Sequence, residues 1–216
     1  MKYKKLTGII LKKQNYREAD QILTLFTKEG GKVRVLGKAL RQPLSKMLFA
    51  AQDLSEVEIN LVGKNFPTLI GIKPLRQFQS LKLDLKKVAI AFYAAETMLK
   101  ITADEHPNEE AYNLLLDFFD CLNRLDYSVR YYPILESFCL KLLTSNGFSI
   151  EHASSSFKIP KELDSDLSKL ENMEFESFQE VDMNYDRIEQ LHGLINRFIE
   201  YVLERNIKSE IFLWTI

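Results

Sequence analysis

Eight basic side chains near the amino end carry the chemistry that this sequence offers. Lys12, Lys13, Arg17, Lys32, Arg34, Lys38, Arg41 and Lys46 are fixed positive charges, while Tyr16 and Phe66 supply flat apolar faces in the same region. Cations neutralise phosphates and aromatic rings stack on bases, so this combination suits a groove for single-stranded nucleic acid. Residues 1–50 hold nine lysines and three arginines against Glu18, Asp20 and Glu29, a balance of +9. Residues 51–80 are neutral, and residues 81–216 carry 14 basic against 24 acidic side chains, a balance of −10. The whole-chain charge of −1 conceals this asymmetry. A cationic head on an acidic body predicts a polyanionic partner at the head. A single lysine is most often a solvated surface charge; the concentration is what argues for nucleic acid.

Other chemistries find no support. Gly30-Gly31-Lys32 continues into Val33 and lacks the upstream glycine and hydroxyl residue of a phosphate-binding loop. No Gly-x-Ser-x-Gly elbow, His-Glu-x-x-His pair, Cys-x-x-Cys or dinucleotide fingerprint occurs, so an enzyme is not expected. Acidic runs such as 162–166 read as solvated charge. Cys121 and Cys139, the only cysteines, lie in apolar helical patterns and read as buried free thiols. His106, His152 and His192 do not have metal-ligand spacing, so no metal and no cofactor are expected. The first apolar run is too short for a leader, and the longest uncharged run, 88–95, is too short to span a membrane. A soluble cytoplasmic protein is expected.

The elements that position these charges change character at about residue 80. Before it, β-rich runs over 6–13, 21–27, 32–36, 55–61 and 68–72 are separated by glycine-containing turns. In 55–61 the alternation sends Val57, Ile59 and Leu61 inward and Glu56, Glu58 and Asn60 outward. Five short strands bury their edges by closing, which predicts a five-stranded OB-type barrel. Gly8 is expected to mark a bend or bulge. Lys32 and Arg34 then project from the outer face of the third strand, and 37–46 forms a flexible basic loop.

From residue 81 the period becomes helical. Helices are expected over 82–101, from Asn108 as N-cap to about 125, up to Ser145 with Pro133 near the start, and over 186–205. Asn146-Gly147 reads as a C-cap. Residues 149–184 are the least regular, with a weak helical pattern over 161–170. The fold class is α+β: a barrel domain over 1–80 and an all-α domain over 81–216, with 149–184 an irregular insertion.

The order of short motifs is more specific than the charge. Gly8-Ile-Ile-Leu-Lys, Tyr16-Arg-Glu-Ala-Asp-Gln-Ile-Leu-Thr-Leu-Phe-Thr, Gly31-Lys-Val and Gly37-Lys-Ala-Leu-Arg-Gln-Pro-Leu-Ser-Lys resemble the amino-terminal domain of the bacterial RecO family. Phe138 to Phe148 and Arg205-Asn-Ile-Lys-Ser-Glu-Ile-Phe-Leu resemble its helical body. The resemblance implies an OB-fold head, a helical body and a recombination mediator. Such a mediator binds single- and double-stranded DNA, anneals complementary strands, and acts with RecR and single-stranded DNA-binding protein (SSB) to load RecA. Lys38, Arg41 and Lys46 stand where the family contacts DNA, and the location implied is cytoplasmic and nucleoid-associated. Many relatives carry a four-cysteine zinc module near 149–184, but no cysteine follows Cys139 here. Relatives often have arginines where this chain has Glu136 and Ser137, so Arg130 or Lys141 would have to receive the SSB carboxy-terminal tail. An RNA-binding barrel and a protein-only adaptor are the rival readings of the same residues.

Overall fold

Alternating apolar side chains build five strands in the computed structural model, which describes residues 3–126, 131–150, 157, 159–181 and 183–214. They are β1 (Tyr3–Tyr16), β2 (Asp20–Thr27), β3 (Gly31–Gly37), β4 (Glu56–Val62) and β5 (Thr68–Arg76). They close into a barrel in the order β1-β2-β3-β5-β4. The fourteen residues of β1 pair twice, with β4 from Tyr3 to Ile9 and with β2 from Gly8 to Tyr16. Gly8 is the pivot between these partners, and a Cβ there would meet the Thr27 side chain at 2.7 Å. Its glycine is required by close strand approach, while the bulge expected there falls between Ile10 and Lys12. β3 and β5 complete the barrel in parallel at the single rung Leu36–Thr68, with the Leu36 N–H donating to the Pro67 carbonyl at 2.9 Å. Leu6, Ile10, Leu23, Leu25, Val35, Val57, Ile59, Leu61 and Leu69 fill the interior.

The chain forms two compact units, one of Met1–Phe78 with Thr102–Tyr112, the other of Gln79–Ile101 with Asn113–Ile216. Residues 102–112 therefore belong with the barrel. They are seated by Gly31, whose φ of +64° is a left-handed conformation and whose missing Cβ leaves room for the His106 backbone. Further along, the Tyr112 hydroxyl donates to Glu56 Oε1 at 2.7 Å, and Arg76 reaches the other carboxylate oxygen at 3.2 Å. Glu56 points away from the barrel interior, as its alternation requires, yet these partners bury it.

The second unit is helical: α1 (Gln79–Lys82), α2 (Leu85–Ile101), α3 (Glu109–Arg124, shared with the first unit), α4 (Tyr132–Ser145), α5 (Lys161–Asn172), α6 (Tyr185–Leu203) and α7 (Glu210–Trp214). The helix expected over 82–101 is broken at Leu83-Asp84, because Asp84 Oδ1 caps α2 by accepting the Lys86 N–H at 2.8 Å. Asn108 and Asn184 cap α3 and α6 in the same way, accepting from Ala111 at 2.9 Å and Arg187 at 2.8 Å. After α4, Gly147 turns left-handed at φ +84° and the Phe148 N–H returns to the Leu143 carbonyl. The irregularity expected of 149–184 does not hold for 161–180. There α5 and a 3-10 helix (Phe175–Glu180) pack on α4, burying Leu163, Leu167 and Leu170 and setting the Phe175 ring edge-on to Phe118 at 5.8 Å. Three leucines spaced by four and three residues carried that signal, diluted by the charges between them.

Glu96 ties α7 to α2. Its carboxylate accepts the Lys208 N–H at 3.0 Å, the Ser209 N–H at 2.7 Å and the Ser209 hydroxyl at 2.6 Å, and pairs with Lys100 at 2.7 Å. Burial pushes its pKa upward, but the Lys100, Ser209 and Lys208 hydrogen bonds outweigh it and hold the group at about 2. The stabilisation is complete above the ordinary carboxylate pKa and is lost as pH falls through about 2. Glu96→Gln is therefore expected to lower the melting temperature by several degrees at pH 7. That deficit should narrow steadily between pH 4.5 and pH 2 in thermal scans.

Candidate nucleic-acid interface

The β1–β2 hairpin and the segment after β3 come together at one end of the barrel. Tyr16 pairs with Asp20, leaving three hairpin residues of which Arg17 is left-handed at φ +54°. Gln21 pairs with Gly37, which brings the segment after β3 against that hairpin. Leu40, fully buried, plugs the core beneath it. The Asp20 carboxylate accepts the Ala39 N–H at 2.8 Å, the Ala19 carbonyl accepts the Arg41 N–H at 2.9 Å, and the Arg41 guanidinium donates to the Glu18 carbonyl at 3.1 Å. Successive turns then run through Gln42, Ser45 and Leu48 to Ala51. The loop expected to be flexible is pinned along its length. What the sequence hid is that Asp20, an acid in a basic region, is spent on a backbone amide.

Arg17, Lys38 and Arg41 are exposed at this end, with Lys46 exposed farther along the loop and Lys12 exposed on β1. Among the described residues, no carboxylate pairs with any of these five. Tyr16 is 37 % exposed and the Arg17 guanidinium lies over its ring, 5.2 Å from the centroid. Glu18 offers the cluster its backbone carbonyl.

The remaining sequence-predicted cations are engaged elsewhere. Lys32 does not project freely from β3: its side chain is 14 % exposed, and its ammonium donates to the Thr102 carbonyl at 2.7 Å and meets Asp104 at 3.0 Å. Arg34 reaches the other Asp104 oxygen at 3.5 Å, and Lys28 pairs with Glu109 at 2.8 Å. The 102–112 segment docks here by backbone as well, the Glu105 N–H donating to the Lys32 carbonyl at 3.0 Å. Hydrogen bonding from Lys32, opposed by slight burial and reinforced by the Lys32 and Arg34 charges, holds the Asp104 carboxyl below its usual range. Lys13 donates to the Ala51 carbonyl and pairs with Asp53, both at 3.1 Å. Phe66, 46 % exposed, lines a groove of about 780 Å³ beside β3 instead of joining Tyr16. That groove is nearly charge-balanced, with Lys4, Lys32, Arg34 and Lys64 facing Glu29, Asp104 and Glu105.

In the helical unit, Lys141 is half-buried, donates to the Met173 carbonyl at 2.6 Å, and lies 5.2 Å from the Phe175 ring centroid. It does not present the open cation expected of a tail-binding residue. Glu136 and Ser137 are buried, Glu136 against His192 Nδ1 at 2.7 Å. Arg130 and His152 lie outside the described residues. Cys121 and Cys139 are buried free thiols, both pushed up in pKa by burial. Among the described residues no cluster of metal-ligating side chains occurs, and no helix is long and apolar enough to cross a membrane.

Residues 1–78 match the family model described as recombination protein O, N terminal, and residues 82–168 match the model for its C terminal part. The chain is similar to the protein named DNA repair protein RecO of Symbiobacterium thermophilum, 32% identical over 65% of this chain and 55% of that protein. It is also similar to those of Acetivibrio thermocellus, 29% over 69% and 59%, and Clostridium perfringens, 31% over 66% and 58%. The chain thus spans little more than half the length of these curated relatives.

Asp20→Ala removes the acceptor of the Ala39 N–H. Amides from Lys38 to Lys46 should then exchange with solvent at least about tenfold faster, while those in the β1–β4 ladder keep their protection, as read by hydrogen-exchange mass spectrometry.

Proposed function

Because the chain belongs to the RecO family, we propose that it is a DNA-binding recombination mediator that anneals complementary strands and works through its barrel end. The observation that carries this reading is the cluster Arg17, Lys38 and Arg41, extended by Lys12 and Lys46, which is exposed and, among the described residues, has no carboxylate partner. Two strands approaching each other repel through their phosphates. A rigid cationic surface that neutralises phosphates on both lowers that repulsion and leaves base edges open to pair. No bond is made or broken, so the mechanism is electrostatic and not catalytic. Partnership with RecR, docking of the SSB tail, assistance to RecA and association with the nucleoid follow from the family and are part of the proposal. Lys141 donates one hydrogen bond to the Met173 carbonyl, and Arg130 and Lys141 are the cations assigned to a tail carboxylate in this proposal.

The paired and unpaired cations should behave differently. Lys38→Glu with Arg41→Glu should weaken binding to single-stranded DNA about a hundredfold at low salt, with the melting temperature nearly unchanged. It should also reduce the slope of log affinity against log salt by about two. Lys32→Ala should change affinity less than about twofold, and Asp104→Ala should raise it by releasing Lys32 and Arg34. Titration of labelled DNA and RNA oligomers at two salt concentrations measures all four. Unchanged binding in the Lys38/Arg41 variant would refute the assignment, and preference for RNA would replace the substrate.

A further inference from the structure

The pinned loop after β3 holds two apolar side chains out in water. Leu44 is 94 % exposed and Phe49 is 73 % exposed, although the backbone carrying them is fixed. Leu40 on one side and Ala50 and Ala51 on the other are buried, and Met47 between them packs against the barrel core. The Ser45 N–H bonds the Gln42 carbonyl at 2.9 Å, the Leu48 N–H bonds Ser45 at 3.1 Å, and the Ala51 N–H bonds Met47 at 3.0 Å. A residue held between such anchors cannot swing its side chain under cover without breaking them. The surroundings are cationic: Arg41 precedes Leu44, Lys46 follows it, and no acid occurs between Glu29 and Asp53.

We propose that Leu44 and Phe49 are base-contacting residues for a single strand whose phosphates lie on Lys38, Arg41 and Lys46. This rests on the DNA-binding reading above and adds the part of the ligand that the cations do not address. A nucleic-acid strand combines anionic phosphates with flat apolar bases, and this loop combines Lys38, Arg41 and Lys46 with exposed Leu44 and Phe49. Phe49 provides a ring for stacking, and Leu44 provides a wedge that packs against a base and separates it from its neighbour. An acidic peptide would satisfy the charges and an apolar protein surface would satisfy Leu44 and Phe49. The presence of both chemistries in one short loop favours a strand.

The test compares a thymidine oligomer with an abasic oligomer of the same length, by fluorescence anisotropy on the full chain. The native protein should prefer the thymidine oligomer by about tenfold. Leu44→Ser with Phe49→Ser should lose that preference while keeping its affinity for the abasic oligomer, its salt slope and its melting temperature. Phe49→Trp in a Leu44-intact protein should keep the preference and show tryptophan quenching by the thymidine oligomer alone. A double variant that still prefers bases overturns the proposal, as does a native protein that binds both oligomers equally, or a loss matched by lost binding to an acidic peptide. A native protein that binds neither oligomer removes the DNA-binding reading itself.

Discussion

Lys32 meets Asp104 at 3.0 Å and the Thr102 carbonyl at 2.7 Å, and that cluster divides the positive charge of the barrel unit in two. On one side, Lys28, Lys32 and Arg34 are answered by Glu109 and Asp104 from the segment that Gly31 admits. On the other, Arg17, Lys38 and Arg41 share one end of the barrel, where among the described residues no carboxylate pairs with them and Asp20 accepts the Ala39 N–H. Individual ion pairs with exposed members contribute little stability, about 0–1 kcal/mol each. Their consequence here is electrostatic: they partly cancel the field along β3 and leave that of the hairpin end in place. A charge count of +9 over fifty residues becomes a directed surface only through this cancellation.

Rigidity is the second ingredient. A flexible basic tail loses conformational entropy when it orders on a polyanion, whereas a surface already fixed by Leu40, Asp20 and the Arg41 backbone loses little. Left-handed residues at Arg17 and Ala39 fall on the two facing segments of that end. Each costs about 1–2 kcal/mol for an ordinary side chain, so the surrounding contacts hold the shape against local preference. The helical unit is organised differently, around buried polar ties. Glu96 gathers the start of α7, Glu136 holds His192, and the Tyr93 hydroxyl donates to Asn196 at 2.8 Å. The Lys208 and Ser209 backbone amides thus have a structural task at the start of α7.

The barrel was legible because period-two alternation and glycine turns are local signals, and β3 appears as Lys32-Val33-Arg34-Val35 suggests. The split of the cations was not, since Asp104 lies seventy residues from Arg34 in sequence and nothing local pairs them. Tyr16 and Phe66 look equivalent as exposed aromatic residues, yet strand register puts Tyr16 at the hairpin end, while Phe66, on the connection between β4 and β5, lines the groove beside β3. Lys141 reads as a helix-surface cation until Met173, on the connection after α5, is placed over it. The helical period found α2, α3, α4 and α6. It missed the break at Asp84, where a cap interrupts an otherwise continuous apolar pattern, and it undervalued α5, whose three buried leucines are separated by charge.

Amine-reactive footprinting of the native protein, with and without saturating single-stranded DNA, tests the division of charge most directly. Lys12, Lys38 and Lys46 should be protected by DNA, whereas Lys28 and Lys32 should react alike in both states. Protection centred on Lys28 and Lys32, with Lys38 and Lys46 unaffected, would contradict the account.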